Sequence, residues 1–558
     1  MSPLYRALSY TILVLFVLPA SAQQASPADT EPFGEVIDVR VVNVEVVVTD
    51  RDGNRVSDLK PGDFRLKVDG KDVPIDFFTE VRDRQAVAAP AEGEPVAGPA
   101  SVAPGEPVGT SYLVFIDDYF TIPPRRNEVL KALAADLPRL GPQDRMAIVS
   151  FDGARLTRLS GWTSSAGELG QALDKAASVP ARGIDRITEL RSYLQSEQLL
   201  SDVIDQPGGN TVSTGATQLD PINQRALNVG LSQQQVTYGK TLAGQIEIGV
   251  SAVVSAMRGA GSPPGRKVLL LLAGSWPFSI QSFLAGDGLV SSSRQLPDGE
   301  QLLRPLTSTA NLLGYTIYPV DVPGVETEAA SADSFGSSGM DRVAREQENH
   351  GTLEFLAKET GGRPLFNTSR TAVLETAEAD TRSYYWLGFT PSWQRNDKRH
   401  TIEVDSLRPG LQVRARTNFL DLSRNAEVAM MVESALMLGN LPGATAMPIR
   451  LGTLERKKKG EVRIPVTLGL PVDALTVVPI DGKYTAKLEL RAAAADIKGN
   501  RSLVPMVPLT LSSDKPPKPG GYVRYDTKIT VHGDVSHLVV AVYDPLSGKI
   551  STAEVDVQ

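Results

Sequence analysis

Hydrophobic positions along this chain change their period several times, and each change marks a different kind of element. Over residues 35–81 apolar and polar positions alternate: Val42-Asn43-Val44-Glu45-Val46 and Phe64-Arg65-Leu66-Lys67-Val68 are examples, with Ile75-Asp76-Phe77-Phe78 opening a third run. A period of two puts every second side chain on one face, so these runs predict strands with one buried side. The Asp52-Gly53 and Asp69-Gly70 pairs between them predict tight turns. From residue 110 to 380 the pattern is different. Tyr112-Leu113-Val114-Phe115-Ile116, Met146-Ala147-Ile148-Val149 and Val268-Leu269-Leu270-Leu271-Leu272 are unbroken apolar runs, as expected of strands buried on both faces. Between them, Val129, Leu130, Leu133 and Leu137 share one helical face, as do Leu242, Ile246, Val250, Val253 and Met257 on a helix read over 240–258. Strand–helix alternation of this kind predicts a mostly parallel, doubly wound sheet covered by helices. Residues 384–421 return to period two, in Tyr384-Tyr385-Trp386-Leu387 and His400-Thr401-Ile402-Glu403-Val404.

The two alternating segments hold about three strands each, too few for a stable sandwich alone. They are therefore read as two halves of one β-sandwich, 35–81 and 384–421, with the α/β domain of residues 110–380 inserted between them. Residues 83–109, rich in Ala, Pro and Gly without periodicity, read as a linker. The polar stretch 202–238 reads as an irregular insertion. After a helix over 424–445, strands and turns from 448 to 558 predict a separate C-terminal β-sandwich.

Composition narrows the function. The chain has 558 residues, enough for several domains, and a formal charge of −8 without a clustered basic face, which argues against nucleic acid as a partner. It has no cysteine, so disulfides, thiolate metal sites and cysteine nucleophiles are excluded. With four histidines in all, a histidine-rich metal centre is not expected. No Gly-rich phosphate loop, His-Glu-x-x-His or Gly-x-Ser-x-Gly motif is present, which disfavours a hydrolase. At the N-terminus, Arg6, the apolar run Tyr10–Leu18 and the small residues Ala20-Ser21-Ala22 form an export leader over residues 1–22. The run is shorter than the roughly 20 residues a spanning helix needs, so no stable transmembrane anchor is expected.

Four segments in this order carry a resemblance: YLVFIDDYFT at Tyr112–Thr121, MAIVSFDG at Met146–Gly153, VLLLLAGSW at Val268–Trp276 and ETGGRPLFN at Glu359–Asn367. Together with SYYWLGFTP at Ser383–Pro391 they resemble the von Willebrand factor type A (vWA)-related proteins found largely in Acidobacteria, over about residues 35–421. The resemblance implies a vWA-like fold and a Mg²⁺ site at the carboxyl end of the sheet. Such a site takes Asp-x-Ser-x-Ser after the first strand, a Thr from a neighbouring loop and an Asp after the central strand. Mg²⁺ needs about six oxygens in an octahedron, some of them water. Here the first motif reads Asp117-Asp118-Tyr119-Phe120-Thr121, and Ala273-Gly274-Ser275 stands where the carboxylate belongs. Asp117, Asp118, Thr121 and, from a helix start, Thr241 are the candidate ligands of a degraded site. No cofactor is expected, with Mg²⁺ or Ca²⁺ in a shifted geometry as the alternative. The bland reading leaves Asp117 and Asp118 as solvated or capping groups, so that Asp117→Ala is near-neutral. Trp276 and Phe278, just past the central strand, are candidate contacts for a protein partner, with loop packing as the alternative. The expectation is an exported, non-enzymatic interaction or adhesion module, periplasmic, on the cell surface or secreted.

Export has a direct check: N-terminal sequencing of the native protein should recover a chain starting near Gln23, and recovery of Met1 or Ser2 would refute it.

Overall fold

A computed structural model describes Leu15–Leu18 and residues 41–557, except 88–104, 206–220, 262, 264, 275, 286–295, 323–338, 367–371, 440–442, 457–460 and 497–500. Most of the leader 1–22, residues 35–40, most of the linker and the centre of the polar insertion thus lie outside the described residues. The chain forms two compact units: Val39–Gln394 with Lys398–Asp421, and Leu422–Gln558 with the N-terminal residues and Arg395–Asp397.

The larger unit opens with β1 (Val42–Thr49), β2 (Phe64–Val68) and β3 (Phe77–Arg82). An α/β region follows: β4 (Thr110–Asp117), α1 (Pro123–Asp136), β5 (Arg145–Phe151), β6 (Leu156–Thr163), α2 (Ala166–Ser178), α3 (Gly183–Asp205), α4 (Pro221–Gly259) and β7 (Arg266–Ala273). It continues through α5 (Gly299–Leu313), β8 (Tyr315–Asp321), α6 (Gly339–Thr360) and α7 (Val373–Thr381). The chain then returns to strands: β9 (Tyr384–Phe389), β10 (Lys398–Ser406), β11 (Gln412–Ala415) and β12 (Asn418–Asp421).

Strands from before and after the α/β region share both sheets of one sandwich. One sheet runs β11-β1-β9-β3 and ends on Gln85–Val87; the other runs β12-β10-β2 and ends on Lys71–Asp72. In the first, Leu387 of β9 sits between Val44 and Phe78; in the second, Ile402 pairs Val68. The inward positions of the period-two pattern, Val44, Val46, Leu66, Tyr385, Leu387 and Ile402, make the core.

The α/β sheet has the order β8-β7-β4-β5-β6, parallel throughout except that β6 runs antiparallel to β5. A single parallel bridge from Val320 to Leu365 extends it beyond β8. Sequence order thus runs outward in one direction from β4 and in the other from β7, so β4 and β7 are the central neighbours where winding reverses. The crevice above the carboxyl ends of such a pair is where open α/β sheets hold their ligands. Val129, Leu130 and Leu133 of α1 and Leu169 and Leu173 of α2 cover one face, packing on Tyr112, Val114, Val268 and Leu270.

Three expectations are corrected. Residues 83–87 are not linker: Asp83 and Arg84, both at positive φ (47° and 65°), turn a hairpin that pairs Gln85–Val87 with β3. Composition hides this turn because Arg84 stands where such turns favour Gly after Asp. The polar stretch 202–238 is helical on both sides of residues 206–220, since α3 runs to Asp205 and α4 starts at Pro221. Its Gln, Ala and Leu residues favour helix despite their polarity pattern. Thr241 consequently lies inside α4 and not at a helix start.

Where sandwich meets α/β sheet, the contacts are charged. Arg266, 1% exposed at the start of β7, lies with Nε 2.9 Å from Glu45 Oε2 and its guanidinium carbon 4.5 Å from the Tyr384 ring centre. Thr316 Oγ1 donates to the same Glu45 oxygen at 3.0 Å. Asp144 accepts from Thr110 N–H (2.8 Å), Gly141 N–H (2.8 Å) and Arg84 Nη1 (2.7 Å).

The second unit holds α8 (Arg424–Leu438), β13 (Glu461–Pro471), β14 (Lys483–Ala495), β15 (Met506–Ser513), β16 (Tyr522–His532), β17 (His537–Tyr543) and β18 (Ile550–Asp556). One sheet is β16, β13 and Ile449–Leu451, with Leu15–Leu18 of the leader paired along the outer edge of β16, an edge that removal of residues 1–22 would uncover; the other is built on β18, β17 and β14, with β15 paired to β14. Alternate residues of β13, among them Ile464, Val466 and Leu468, face Leu488, Leu490 and Val540 in the core. Val428, Val432 and Ala435 of α8 pack against Ala493, Val539 and Ala541 on the opposite face of the second sheet.

Removing one member of a buried ion pair strands the other charge, at a cost of about 3 kcal/mol or more. Glu45→Ala should therefore destabilise the larger unit by about that amount in urea unfolding. Adding Arg266→Met should recover part of the loss, and an additive double variant would mean that the two side chains are not coupled.

Candidate functional site

At the carboxyl end of β4 the chain must turn sharply beneath the loops that follow β5 and β7. Asp117 and Asp118 sit there with no exposed surface, as does Thr121. Such burial is unusual for carboxylates without a partner, and here each has its partners inside the chain.

Asp117 holds its own loop. Its Oδ1 accepts from the N–H groups of Tyr119 (3.1 Å) and Phe120 (3.3 Å), and its Oδ2 from the indole N–H of Trp276 (3.0 Å). Thr121 Oγ1 donates back to the Asp117 carbonyl at 2.5 Å, closing the turn. Burial pushes the Asp117 carboxyl up to about 7, against the pull of the Tyr119 and Phe120 N–H groups, and the neighbouring charge of Asp118 adds to the rise.

Asp118 is met by a guanidinium. Arg126, at the end of the first turn of α1 and fully buried, pairs through Nη1 with Asp118 Oδ1. Its remaining donors reach the carbonyls of Ala177 (3.2 Å) and Val179 (2.9 Å) at the end of α2 and the side chain of Asn127 (3.0 Å). Burial raises the Asp118 carboxyl above its ordinary range, Arg126 opposes the rise, and Asp152 across the crevice adds to it. Among the described residues Asp118 Oδ2 has no hydrogen-bond partner.

Tyr119 occupies the crevice above. Its ring lies so close to Gly153, at φ +95°, that a Cβ there would come within 2.2 Å of it. Arg186 donates to the Tyr119 hydroxyl (2.9 Å). The Asp152-Gly153 turn, whose Asp152 Oδ1 accepts from Ala154 and Arg155 N–H, thus also makes room for the ring. The loop before α3 closes over the site: Arg182 N–H donates to the Asp118 carbonyl (2.6 Å) and Gly183 N–H to that of Thr121 (3.1 Å).

Asp117, Asp118, Thr121 and Trp276 therefore come together, and two candidates do not. Gly249 of α4 lies beneath Trp276, where a Cβ would meet the indole at 2.8 Å. Thr241 is eight residues back along that helix, about 12 Å along the axis, and its hydroxyl donates within the helix to Thr237 O at 3.1 Å. Phe278 packs on Phe355, with ring centres 5.3 Å apart. Trp276 is 2% exposed, with its indole N–H turned inward to Asp117. Gly274 brings no carboxylate, and among the described residues no group of three or more His, Asp or Glu side chains is placed to hold a metal. The reading of Asp117 as a solvated group is also corrected, because it has no exposed surface and three N–H donors reach it.

Arg126 is the functional residue that sequence reasoning missed. Its signal was present: it falls three, four and seven residues before Val129, Leu130 and Leu133, on the apolar stripe of α1. A charge on such a stripe calls for a buried counter-charge.

No family model matches the chain, and no curated protein matches it. Among solved structures it is similar to the N-terminal domain of TFIIH p34, at 12% identity over 48% of this chain and 95% of that one, with a TM-score of 0.19. It is similar to the VWA domain of SpRpn10, at 9% identity over 44% and 97%, with a TM-score of 0.15. It is similar also to the open conformation of the pilus adhesin SpaC from Lactobacillus rhamnosus GG, at 8% identity over 80% of this chain and 56% of that one, with a TM-score of 0.25. Superpositions this loose carry no inference; the fold rests on the strand order and the site on its contacts.

Two outcomes follow for Asp117. Asp117→Ala should lower stability by about 1–3 kcal/mol in urea unfolding, because it orphans buried N–H donors. The second concerns pH. With its carboxyl raised to about 7, the native state keeps a proton that the unfolded chain releases near its ordinary value of about 3.9. Stability contributed by this group is then full below about 4 and lost as pH rises to about 7. Melting temperatures across that range should show a downward component in the wild type that Asp117→Asn lacks; parallel profiles would refute it.

Proposed function

We propose that the chain is an exported, non-enzymatic module that recognises a protein partner through the carboxyl end of its α/β sheet, without a metal ion. The observation behind this reading is the Asp118–Arg126 pair. At the point where the sheet order reverses, the counter-charge to a buried carboxylate is a guanidinium of the same chain, and Asp117 is engaged by N–H donors. An adhesion site completed by Mg²⁺ and a partner's carboxylate needs those oxygens free.

The surface beside this site suits a protein contact. Ile184, 58% exposed, follows Gly183, whose backbone is bonded to the Asp117–Thr121 turn. Exposed Arg182 precedes that glycine, and Arg186, two residues beyond Ile184, donates to the Tyr119 hydroxyl. An exposed apolar side chain beside an exposed arginine has the make-up of an interface centre. The absence of cysteine and of hydrolase or phosphate-loop motifs supports a binding role. For export, the leader signature at residues 1–22 is the support, and among the described residues no helix is long and apolar enough to cross a membrane. The narrower likeness to the vWA-related group of Acidobacteria rests on the sequence motifs alone.

A modified Mg²⁺ or Ca²⁺ site is the second reading, favoured by one observation: Asp118 Oδ2 is buried without a partner among the described residues. Crosslinked capture from the organism's own cell envelope separates the two. Capture by the wild type that withstands EDTA and is lost in Ile184→Asp supports the metal-free contact. Capture abolished by EDTA and restored by Mg²⁺ or Ca²⁺ would establish the second reading instead.

A further inference from the structure

A cleft of about 700 Å³ opens in the larger unit between the sandwich edge and the end of α7, away from the crevice above β4. That volume lies within the roughly 300–1,000 Å³ of small-ligand sites. Three arginines from separate segments line it: Arg55 from the loop after β1, Arg363 from the turn after α6 and Arg414 from β11. Val47, Val413 and Ala379 supply an apolar wall.

The arginines are not equivalent. Asp380, at the end of α7, pairs with Arg55 through one carboxylate oxygen and with Arg414 through the other, and accepts from Tyr318 Oη at 2.6 Å. Burial opposes its ionisation, but the charges of Arg414 and Arg55 outweigh it and hold the carboxyl at about 2. One carboxylate thus fixes two guanidiniums, each still 28% exposed to the cleft. Arg414 is braced further by donating to Gly362 O at 3.0 Å. Arg363, next in the chain, is exposed and makes no hydrogen bond or ion pair among the described residues. The other acid at the rim, Glu375, is paired with Arg139 at 3.4 Å. Three guanidiniums therefore face the cleft, and among the described residues Asp380 is the one carboxylate that pairs with any of them, leaving a surplus of positive charge on a preorganised frame.

We propose that this cleft binds a small organic anion through a carboxylate or phosphate group, with Arg363 as the principal donor and Arg55 and Arg414 held in place beside it. Guanidiniums match the planar, paired oxygens of such groups better than ammonium groups do. Because Asp380 already fixes two of the three side chains, little rotamer freedom remains to be lost on binding. The apolar wall would take the non-ionic part of the ligand.

The test is calorimetric titration of the full chain with inorganic phosphate and, separately, with succinate and citrate, which distinguishes the two sources of oxyanion. Saturable binding of at least one probe is expected. Arg363→Gln should weaken it by about tenfold or more, the loss of a charge-assisted hydrogen bond, and leave the Asp380 pairs and the fold intact. Arg524→Gln, at a 75% exposed position in the other unit, should leave binding unchanged. The proposal is overturned if no probe binds at tens of millimolar, if Arg363→Gln binds like the wild type, or if both variants weaken binding equally.

Discussion

A carboxylate buried at the end of a strand must take N–H donors and give up its charge, as Asp117 does, or find a counter-charge, and the crevice above β4 is organised around how Asp118 finds one. The guanidinium of Arg126 comes from the following helix and reaches the carbonyls that end α2. One side chain therefore ties the loop, α1 and the end of α2 together on that face. The turn closed by Asp117, the seat of Tyr119 over Gly153 and the bonds from Arg182 and Gly183 all rest on a loop whose position this pair determines. A metal ion could serve the same electrostatic need, but it would have to displace a cation tethered in the chain, which competes at every metal concentration.

Asp380 plays the comparable part at the sandwich edge, with the balance reversed. There one carboxylate answers two guanidiniums, so the pair leaves positive charge toward solvent. The two ends of the α/β region thus differ in character: a neutralised, closed crevice at one, an open and cationic cleft at the other.

Much of this was legible in the residues. The unbroken apolar runs at Tyr112–Ile116 and Val268–Leu272 mark the central strands, and the helical spacing of Val129, Leu130 and Leu133 marks α1. Asp117, Asp118 and Thr121 lie together because they are neighbours in one turn. What pattern could not supply was contact across distance. Trp276 and Asp117 are 159 residues apart, and only the adjacency of β4 and β7 brings the indole N–H to the carboxylate. Thr241 was misplaced because the beginning of α4 carries no apolar period to reveal it, and the turn at Asp83-Arg84 because Arg84 stands where such a turn favours Gly.

The α/β region leaves the sandwich after Gln85–Val87 and returns at β9, and these two crossings touch: Arg84 N–H donates to Arg382 O at 2.9 Å. The returning strand β9 is internal to its sheet, laddered to β1 on one side and β3 on the other. Pulling on the crevice above β4 would therefore load β9 along its length, setting two ladders against the force together instead of unzipping them bond by bond. In mechanical terms the sandwich meets such a load in shear, on two ladders at once.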